Sequence, residues 1–231
     1  MSNTLSVIVP CFNEEKDIEE SLNRLLKEKW INEIIVVDDC STDQTLNIVK
    51  NLKTFNPKIK IIESEKNQGK GAAIAKSKSY ITSEFVVIHD ADLEYYPKDL
   101  KNMYEKIQEL ENGFLLGSRF LKKNKLLYKR TYLANKFLSK LFSLVYGTKV
   151  TDVATCYKMM SAKFFNQLSF KKKGFDIEIE IIATYLNQYS NYFETPISYS
   201  ARTYEEGKKI KILDGFKYIV SILEFRKNKQ I

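Results

Sequence analysis

The sequence predicts an α/β protein with a largely parallel sheet flanked by helices, and three observations carry that expectation. Four apolar runs, LSVIVP (5–10), EIIVVDD (33–39), KIKIIES (58–64) and FVVIH (85–89), alternate with three helical patterns within the first 90 residues. Strands separated by helix-length segments imply βαβ units, whose crossovers leave neighbouring strands parallel. Each run ends in, or leads into, polar or charged residues, and the C-terminal strand ends of an open α/β sheet border its ligand crevice.

The first run is closed by Pro10 and followed by NEEKDIEESLNRLLKE (13–28), with Ile18, Leu22, Leu25 and Leu26 at helical spacing and acids crowding the first turn. After the second run, STDQTLNIVKNL (41–52) opens on a Ser/Thr/Asp cap and continues as a helix. The third leads to the glycine-bearing turn NQGKG (67–71) and the small-residue helix AAIAKSKSY. Beyond Pro97 the alternation loosens. PKDLKNMYEKIQEL reads as a helix, GFLLGSR (113–119) as a strand, TDVATCYKMM (151–160) as loop then strand, FDIEIEIIATYLNQ (175–188) as a helix, and 191–195 as a strand stopped by Pro196. RTYEEGKKI (202–210) is a charged loop. LLYKRTYLANKFLSKLFSLVYG (126–147) is expected to be an amphipathic helix with Leu127, Leu133, Phe137, Leu141, Leu144 and Val145 on one face and Lys129, Arg130, Lys136 and Lys140 on the other. LDGFKYIVSILEFRKNKQI closes the chain as a second amphipathic segment.

With 231 residues and 44% hydrophobic composition the chain can bury one sizeable core, and no linker or repeat divides it. The expected organisation is one domain over 1–231: a regularly alternating half (1–97), a looser second half (98–210) and the amphipathic end (211–231). The formal charge of +8 is uneven, since residues 122–149 hold Lys and Arg but no acid whereas 13–20 are acidic. A local basic excess points to anionic partners. Cys11, Cys40 and Cys156 show neither CxxC pairing nor metal spacing, so reduced thiols and a cytoplasmic location are expected. No signal peptide and no 18-residue apolar stretch is read, which makes the chain soluble or peripheral.

FVVIHDADLE (85–94) is the stretch on which a functional reading turns. Asp90, Asp92 and Glu94 follow a buried strand, where converging carboxylates can hold a hard cation such as Mg²⁺ or Mn²⁺; the alternative is a polar turn capping the next helix. Three further strand ends decide between them. The first delivers Pro10, Asn13, Glu14 and Glu15, the second Asp38 and Asp39, and the third leads into Lys70. In a parallel sheet all reach one edge. No GxGxxG follows the first strand and no GxxxxGK[ST] is present, which argues against dinucleotide-binding and P-loop folds.

IVPCFNEE, VVDDCSTDQT, NQGKGAA, HDADLE and GSR, in that order and spacing, resemble the family-2 inverting glycosyltransferases with the nucleotide-sugar-binding GT-A fold. DVATCYKMM and ISYSARTYEEGKKI look most like the polyprenyl-phosphate (dolichyl-phosphate) mannose and glucose synthase branch. The resemblance covers about 210 residues and implies a single glycosyltransferase catalytic domain, with 1–97 the nucleotide-sugar-binding half and 98–210 the acceptor half. It implies that Pro10, Phe12, Glu14, Val37 and Asp39 line a nucleoside pocket, that Asp90 and Ala91 meet the nucleotide sugar, and that Asp92 holds a metal on its diphosphate, with Glu94 a further oxygen. Lys70 belongs to the same donor site. Arg119, Arg202 and Lys208 would bind phosphates of donor or acceptor, Arg130 lies near another acceptor-phosphate position, and Glu178 is a candidate partner of the arginines. Asp92, Arg119 and Arg202 are expected to carry the chemistry, and His89 to be a wall residue. Members of that branch often continue into C-terminal transmembrane helices; none is expected within these 231 residues.

The implied reaction is transfer of a hexose from a GDP- or UDP-sugar to a polyprenyl phosphate on the cytoplasmic membrane face. A phosphate monoester is anionic near neutral pH (second pKa about 6) and needs cations rather than a base. The alternative is a saccharide hydroxyl acceptor, which needs a carboxylate base, with Asp176, Glu178 and Glu180 the candidates. A nucleotidyltransferase would carry a glycine- and arginine-bearing loop where CFNEE stands. A nucleic-acid-binding module built on 122–149 would leave the clustered acids unexplained, so no nucleic acid is expected. The basic helix suits an anionic lipid surface, the alternative being a stripe packed on the core.

Overall fold

The structure, a computed structural model, describes residues 4–110, 113–189, 191–203 and 212–226. Four strands come from the predicted runs: β1 (Leu5–Cys11), β2 (Glu33–Asp38), β3 (Ile59–Glu63) and β4 (Phe85–Ile88). With β5 (Phe114–Ser118), β6 (Lys158–Ser161) and β7 (Phe193–Pro196) they form one sheet in the order β3-β2-β1-β4-β6-β5-β7. β1 pairs in parallel with β2 and β4, and β2 with β3. β6 runs against both neighbours, β4 and β5, while β7 is parallel to β5. Every residue of β1 and β2 is buried, as expected of parallel strands covered on both faces.

The helices are α1 (Ile18–Lys27), α2 (Thr45–Phe55), α3 (Lys70–Lys76, extended by a 3₁₀ turn to Tyr80), α4 (Lys98–Ile107), α5 (Lys129–Tyr146), α6 (Ala162–Gln167), α7 (Ile177–Gln188) and α8 (Ile212–Glu224). Sequence periodicity overlooks α6, which is short; Ser161 caps it by accepting from the Phe164 N–H. α1 and α2 each begin about four residues later than the sequence predicts. The intervening polar residues knit the loops after β1 and β2 together instead. Asn13 N–H donates to Ser41, Glu14 N–H to Thr45 Oγ1, Glu15 N–H to Asp43, and Gln44 N–H to Glu15. Those bonds draw Asn13 into a left-handed conformation (φ 50°) and delay the helix.

The predicted apolar face of α5 requires correction. Leu138, Ser139 and Phe142 are buried, with Leu141, Val145 and Tyr146 partly so, whereas Leu133, Phe137 and Leu144 are 64%, 57% and 72% exposed. The helix is apolar on more than one side, and tertiary packing uses only one of them. α8 packs against α5 and α7, with Tyr146 Oη donating to the Ile222 carbonyl. It leaves Phe216, Val220 and Leu223 exposed in turn.

At the start of α3, backbone crowds backbone. Gly71 and Ala72 N–H groups both donate to the Lys173 carbonyl. A Cβ on Gly71 would fall 2.2 Å from the Lys172 carbonyl oxygen and 3.1 Å from Ile177 Cβ. A main-chain carbonyl cannot rotate away as a side-chain tip can. Gly71→Ala is therefore expected to destabilise by about 1–3 kcal/mol, as overpacking does, measurable as a lower urea midpoint at unchanged m-value.

Candidate active site

Because β1, β2 and β4 are parallel and in register, their polar ends open on one cavity of about 370 Å³. From the β1 end come Pro10, Phe12 and Glu14, from β2 Asp39, and from the turn before α3 Asn67, Gly69 and Lys70. The loop after β4 adds Asp90, Ala91, Asp92 and Glu94. Arg119, beyond β5, and Tyr199 and Arg202, beyond β7, close the far side. The cavity wall thus holds five carboxylates against three cationic side chains.

Each cation is committed to carboxylates. Lys70 Nζ lies 2.6 Å from Asp90 Oδ1 and 2.7 Å from Glu178 Oε1. Burial works against its charge, but the facing Asp90 raises its pKa well above the ordinary lysine value. Arg202 spans Asp92 at 2.9 Å, Glu14 at 3.0 Å and Asp17 at 3.3 Å. Its Nε is buried without a hydrogen-bond partner among the described residues. Arg119 forks onto Asp152, with Nε and Nη2 each 2.7 Å from a carboxylate oxygen, and its guanidinium lies 5.0 Å from the Tyr199 ring centre.

Asp92 is electrostatically the least comfortable member. Burial, then the neighbouring charges of Asp90 and Glu94, raise its pKa well above the usual carboxylate range despite Arg202. Glu94 accepts from Tyr199 Oη at 2.7 Å and from Arg202 N–H at 2.8 Å. Asp39, expected at the nucleoside, accepts from the Gln68 and Gly69 N–H groups and so also fixes the loop that presents Lys70. His89 is a wall residue as expected: Nδ1 lies 2.9 Å from Tyr157 Oη and Nε2 3.3 Å from Ser21 Oγ. It begins a ladder of rings through Tyr157 and Tyr95 to Tyr199, with centres 5.6, 4.7 and 5.3 Å apart.

A second groove of about 540 Å³ meets the first cavity at Arg119, Thr131, Asn135 and Tyr199. Its wall carries Lys122, Lys123 and Lys125 beside Leu121, Leu126, Leu127 and Tyr132, and no acid among the described residues. These two cavities divide the basic excess from the acidic one.

Three expected site residues fall elsewhere. Val37 is wholly buried in β2 and points into the sheet packing, not the cavity. Arg130 is exposed on the first turn of α5; one residue on, Thr131 faces both cavities instead. Glu178 is buried, lines neither cavity and pairs with Lys70 and Lys158 rather than with an arginine. Lys208 lies outside the described residues. Sequence reading in turn misses Asn67, Thr131, Asn135, Phe175 and Tyr199. Tyr199 sits inside the quoted ISYSARTYEEGKKI motif and Asn67 inside NQGKGAA, so a signal existed for both; nothing local marks the other three.

The wall chemistry fits a hard divalent cation. An excess of carboxylates cannot receive a diphosphate without added positive charge, and Asp92 carries the clearest deficit. Among the described residues no three His, Cys, Asp or Glu side chains form a ready-made cage. Mg²⁺-type ions do not require such a cage, since they use one or two carboxylates and complete their shell with substrate phosphates.

The glycosyl transferase family 2 model matches residues 6–169, and the chain belongs to that family. It is 26% identical over 229 residues to the dolichol-phosphate mannosyltransferase of Pyrococcus furiosus, covering 96% of this chain and 64% of that one. It is 28% identical over 244 residues to the UDP-N-acetylglucosamine–dolichyl-phosphate N-acetylglucosaminyltransferase of Methanococcus voltae, covering 96% of each. Glucosyl-3-phosphoglycerate synthase from Mycobacterium tuberculosis, solved in complex with uridine diphosphate, superposes with a TM-score of 0.76 at 19% identity over 96% of this chain and 80% of that one. The architecture is the GT-A fold, and the chain is a glycosyltransferase of this family.

Burial drives His89 from the ordinary 6.5 down to about 4. Between those values the unfolded chain binds a proton that the folded one refuses, so stability falls as the pH drops through this window. Without added divalent ions, lowering the pH from 7 to 5 should cost about 2 kcal/mol through this group. Chemical denaturation of His89→Gln at both pH values should show that increment missing.

Proposed function

We propose that the chain transfers a hexose, with inversion, from a GDP- or UDP-sugar to a polyprenyl phosphate, using Mg²⁺ or Mn²⁺, on the cytoplasmic face of a membrane. The lysine- and leucine-lined groove carries the acceptor assignment. Three lysines and Arg119 interleaved with leucines and Tyr132 match a molecule that is anionic at one end and hydrocarbon at the other. The groove opens beside the donor cavity at Arg119, where an acceptor phosphate would meet the sugar.

Asp92 would hold the cation first, with Asp90 and Glu94 as further oxygen donors. The bound ion would neutralise the departing nucleoside diphosphate without proton transfer. Phe12 and Glu14 stand at the nucleoside end of the cavity, and Asp90 and Ala91 at the sugar. Arg119 and Arg202 orient the acceptor phosphate by forked N–H donors. One of its oxygens attacks the anomeric carbon as the bond to the diphosphate breaks. That oxygen is already ionised near neutral pH (pKa about 6), so no base is required.

The hydroxyl-acceptor alternative does need one, and the placement of its candidates tells against it. Glu178 is held by Lys158, Glu180 accepts from the Lys171 and Lys172 N–H groups, and Asp176 accepts from Ser221; none lines the cavity. The names of the Pyrococcus and Methanococcus relatives support a lipid-phosphate acceptor. Structures of the Mycobacterium enzyme with Mn²⁺ or Mg²⁺ and uridine diphosphate support the cation.

Membrane contact rests on the two exposed ridges, Leu133–Phe137–Leu144 on α5 and Phe216–Val220–Leu223 on α8. In each the residues recur on one helical face, the pattern of an interfacial helix. Among the described residues no helix is long and apolar enough to cross a membrane.

A panel of labelled GDP- and UDP-sugars with Mg²⁺ or Mn²⁺ and a short-chain polyprenyl phosphate should yield butanol-extractable label with one donor. Label reaching only a saccharide acceptor would refute the assignment. EDTA should abolish transfer and added Mg²⁺ or Mn²⁺ restore it. Asp92→Asn should reduce kcat on the order of 100-fold, as loss of one preorganised charge does. The double variant Leu133→Glu/Phe137→Glu should sediment less with anionic vesicles while its far-UV circular dichroism stays unchanged.

A further inference from the structure

A row of charges runs back from the donor cavity, and its two inner members lie where the reaction does not touch them. Lys158, on β6, is fully buried, and its Nζ lies 2.5 Å from Glu178 Oε2 while also donating to the Thr155 carbonyl. Glu178, 1% exposed on α7, turns its other oxygen to Lys70 Nζ at 2.7 Å, and Lys70 reaches Asp90 at 2.6 Å. The signs alternate from the sheet interior to the cavity wall, yet only Lys70 and Asp90 line the cavity.

Stability alone is a poor reason for such a row. Burying a charge costs several kcal/mol, and apolar residues of similar volume often replace a buried pair without loss. What the row does accomplish is geometric. The backbone of Lys70 is held by its neighbours: Asp39 accepts from Gln68 and Gly69 on one side, and the Lys173 carbonyl accepts from Gly71 and Ala72 on the other. Its long side chain, with four rotatable bonds, would still be free to turn. Glu178 removes that freedom by giving the ammonium a second carboxylate opposite Asp90. Lys158 in turn balances Glu178, which would otherwise be a lone buried anion shared with the cavity.

We propose that Glu178 and Lys158 are positioning residues: they hold Lys70 against Asp90 so that the Asp90 carboxylate meets the glycosyl part of the donor in a fixed direction. Neither touches substrate. The inference rests on the reading of this cavity as a nucleotide-sugar site and adds that α7 and β6, in the acceptor half, set the geometry of donor binding.

The test separates positioning from structural support. Glu178→Gln leaves Lys158 unbalanced and is expected to weaken both folding and donor use. The double variant Lys158→Met/Glu178→Leu removes both charges together, so its thermal midpoint should stay near that of the wild type. Its donor kcat/KM should nonetheless fall on the order of 100-fold, the scale of an ångström's misplacement, with the KM for acceptor unchanged. Binding of UDP-glucose, UDP-N-acetylglucosamine, GDP-mannose, UDP and GDP with Mg²⁺, followed by calorimetry, should show the loss for the sugar nucleotide that the wild type binds and little change for its parent diphosphate. If the folded double variant binds that sugar nucleotide as the wild type does, the positioning role is refuted while the donor site stands. If the wild type itself binds no sugar nucleotide, the donor-site reading falls and this inference falls with it.

Discussion

Crowding of like charge at one sheet edge is the constraint on which the rest of this molecule depends. Parallel pairing of β1 with β2 and β4 brings Glu14, Asp39, Asp90, Asp92 and Glu94 to one cavity. Burial and the crowding of Asp90 and Glu94 push Asp92 toward its protonated form even beside Arg202. The chain answers with cations from distant segments. Lys70 comes from the turn before α3, Arg119 from beyond β5 and Arg202 from beyond β7, so the second half of the chain is electrostatically required by the first.

Those cations are not interchangeable. Lys70 is enclosed by Asp90 and Glu178 and shows only 9% of its side chain. Arg119 is tied to Asp152 on the far side but keeps its flat face on Tyr199, at the junction of the two cavities. Arg202 is the cation placed directly on Asp92. A divalent ion arriving with a diphosphate would take over that neutralising task. The buried Nε of Arg202, without a partner among the described residues, marks it as the group with hydrogen-bonding capacity to spare. The same short stretch gives Tyr199 Oη and Arg202 N–H to Glu94, and Tyr199 lines both cavities.

Division of labour between the cavities follows from composition as much as from shape. Acids gather where β strands end, and lysines gather between β5 and α5 in a groove that shows no acid among the described residues. A phosphate acceptor with a hydrocarbon tail suits the second environment and would be repelled from the first until cations are in place. Exposed leucines and phenylalanines on α5 and α8 extend the apolar character of that half to the surface.

Much of this was legible in the chain order of residues. Apolar runs alternating with helical patterns dictate the βαβ half, because strand and helix periodicity are local properties. HDADLE, NEE, DD and the lysine of NQGKG place their charges at strand ends, and parallel pairing then compels them to one edge. GSR and SART likewise supply arginines the cavity uses. What remained for the tertiary structure were choices between equally good local options. Helix α5 offers apolar residues on more than one side, and only packing against the sheet and α8 selects Leu138 and Phe142 over Leu133 and Phe137. Glu178 could have met arginines or lysines; the approach of α7 to α3 and β6 decided for Lys70 and Lys158. Val37, Arg130 and Thr131 show the same limit, since a side chain's direction depends on contacts made across tens of residues. Local sequence determined which charges this protein carries and at which strand ends; long-range packing decided which of them face one another.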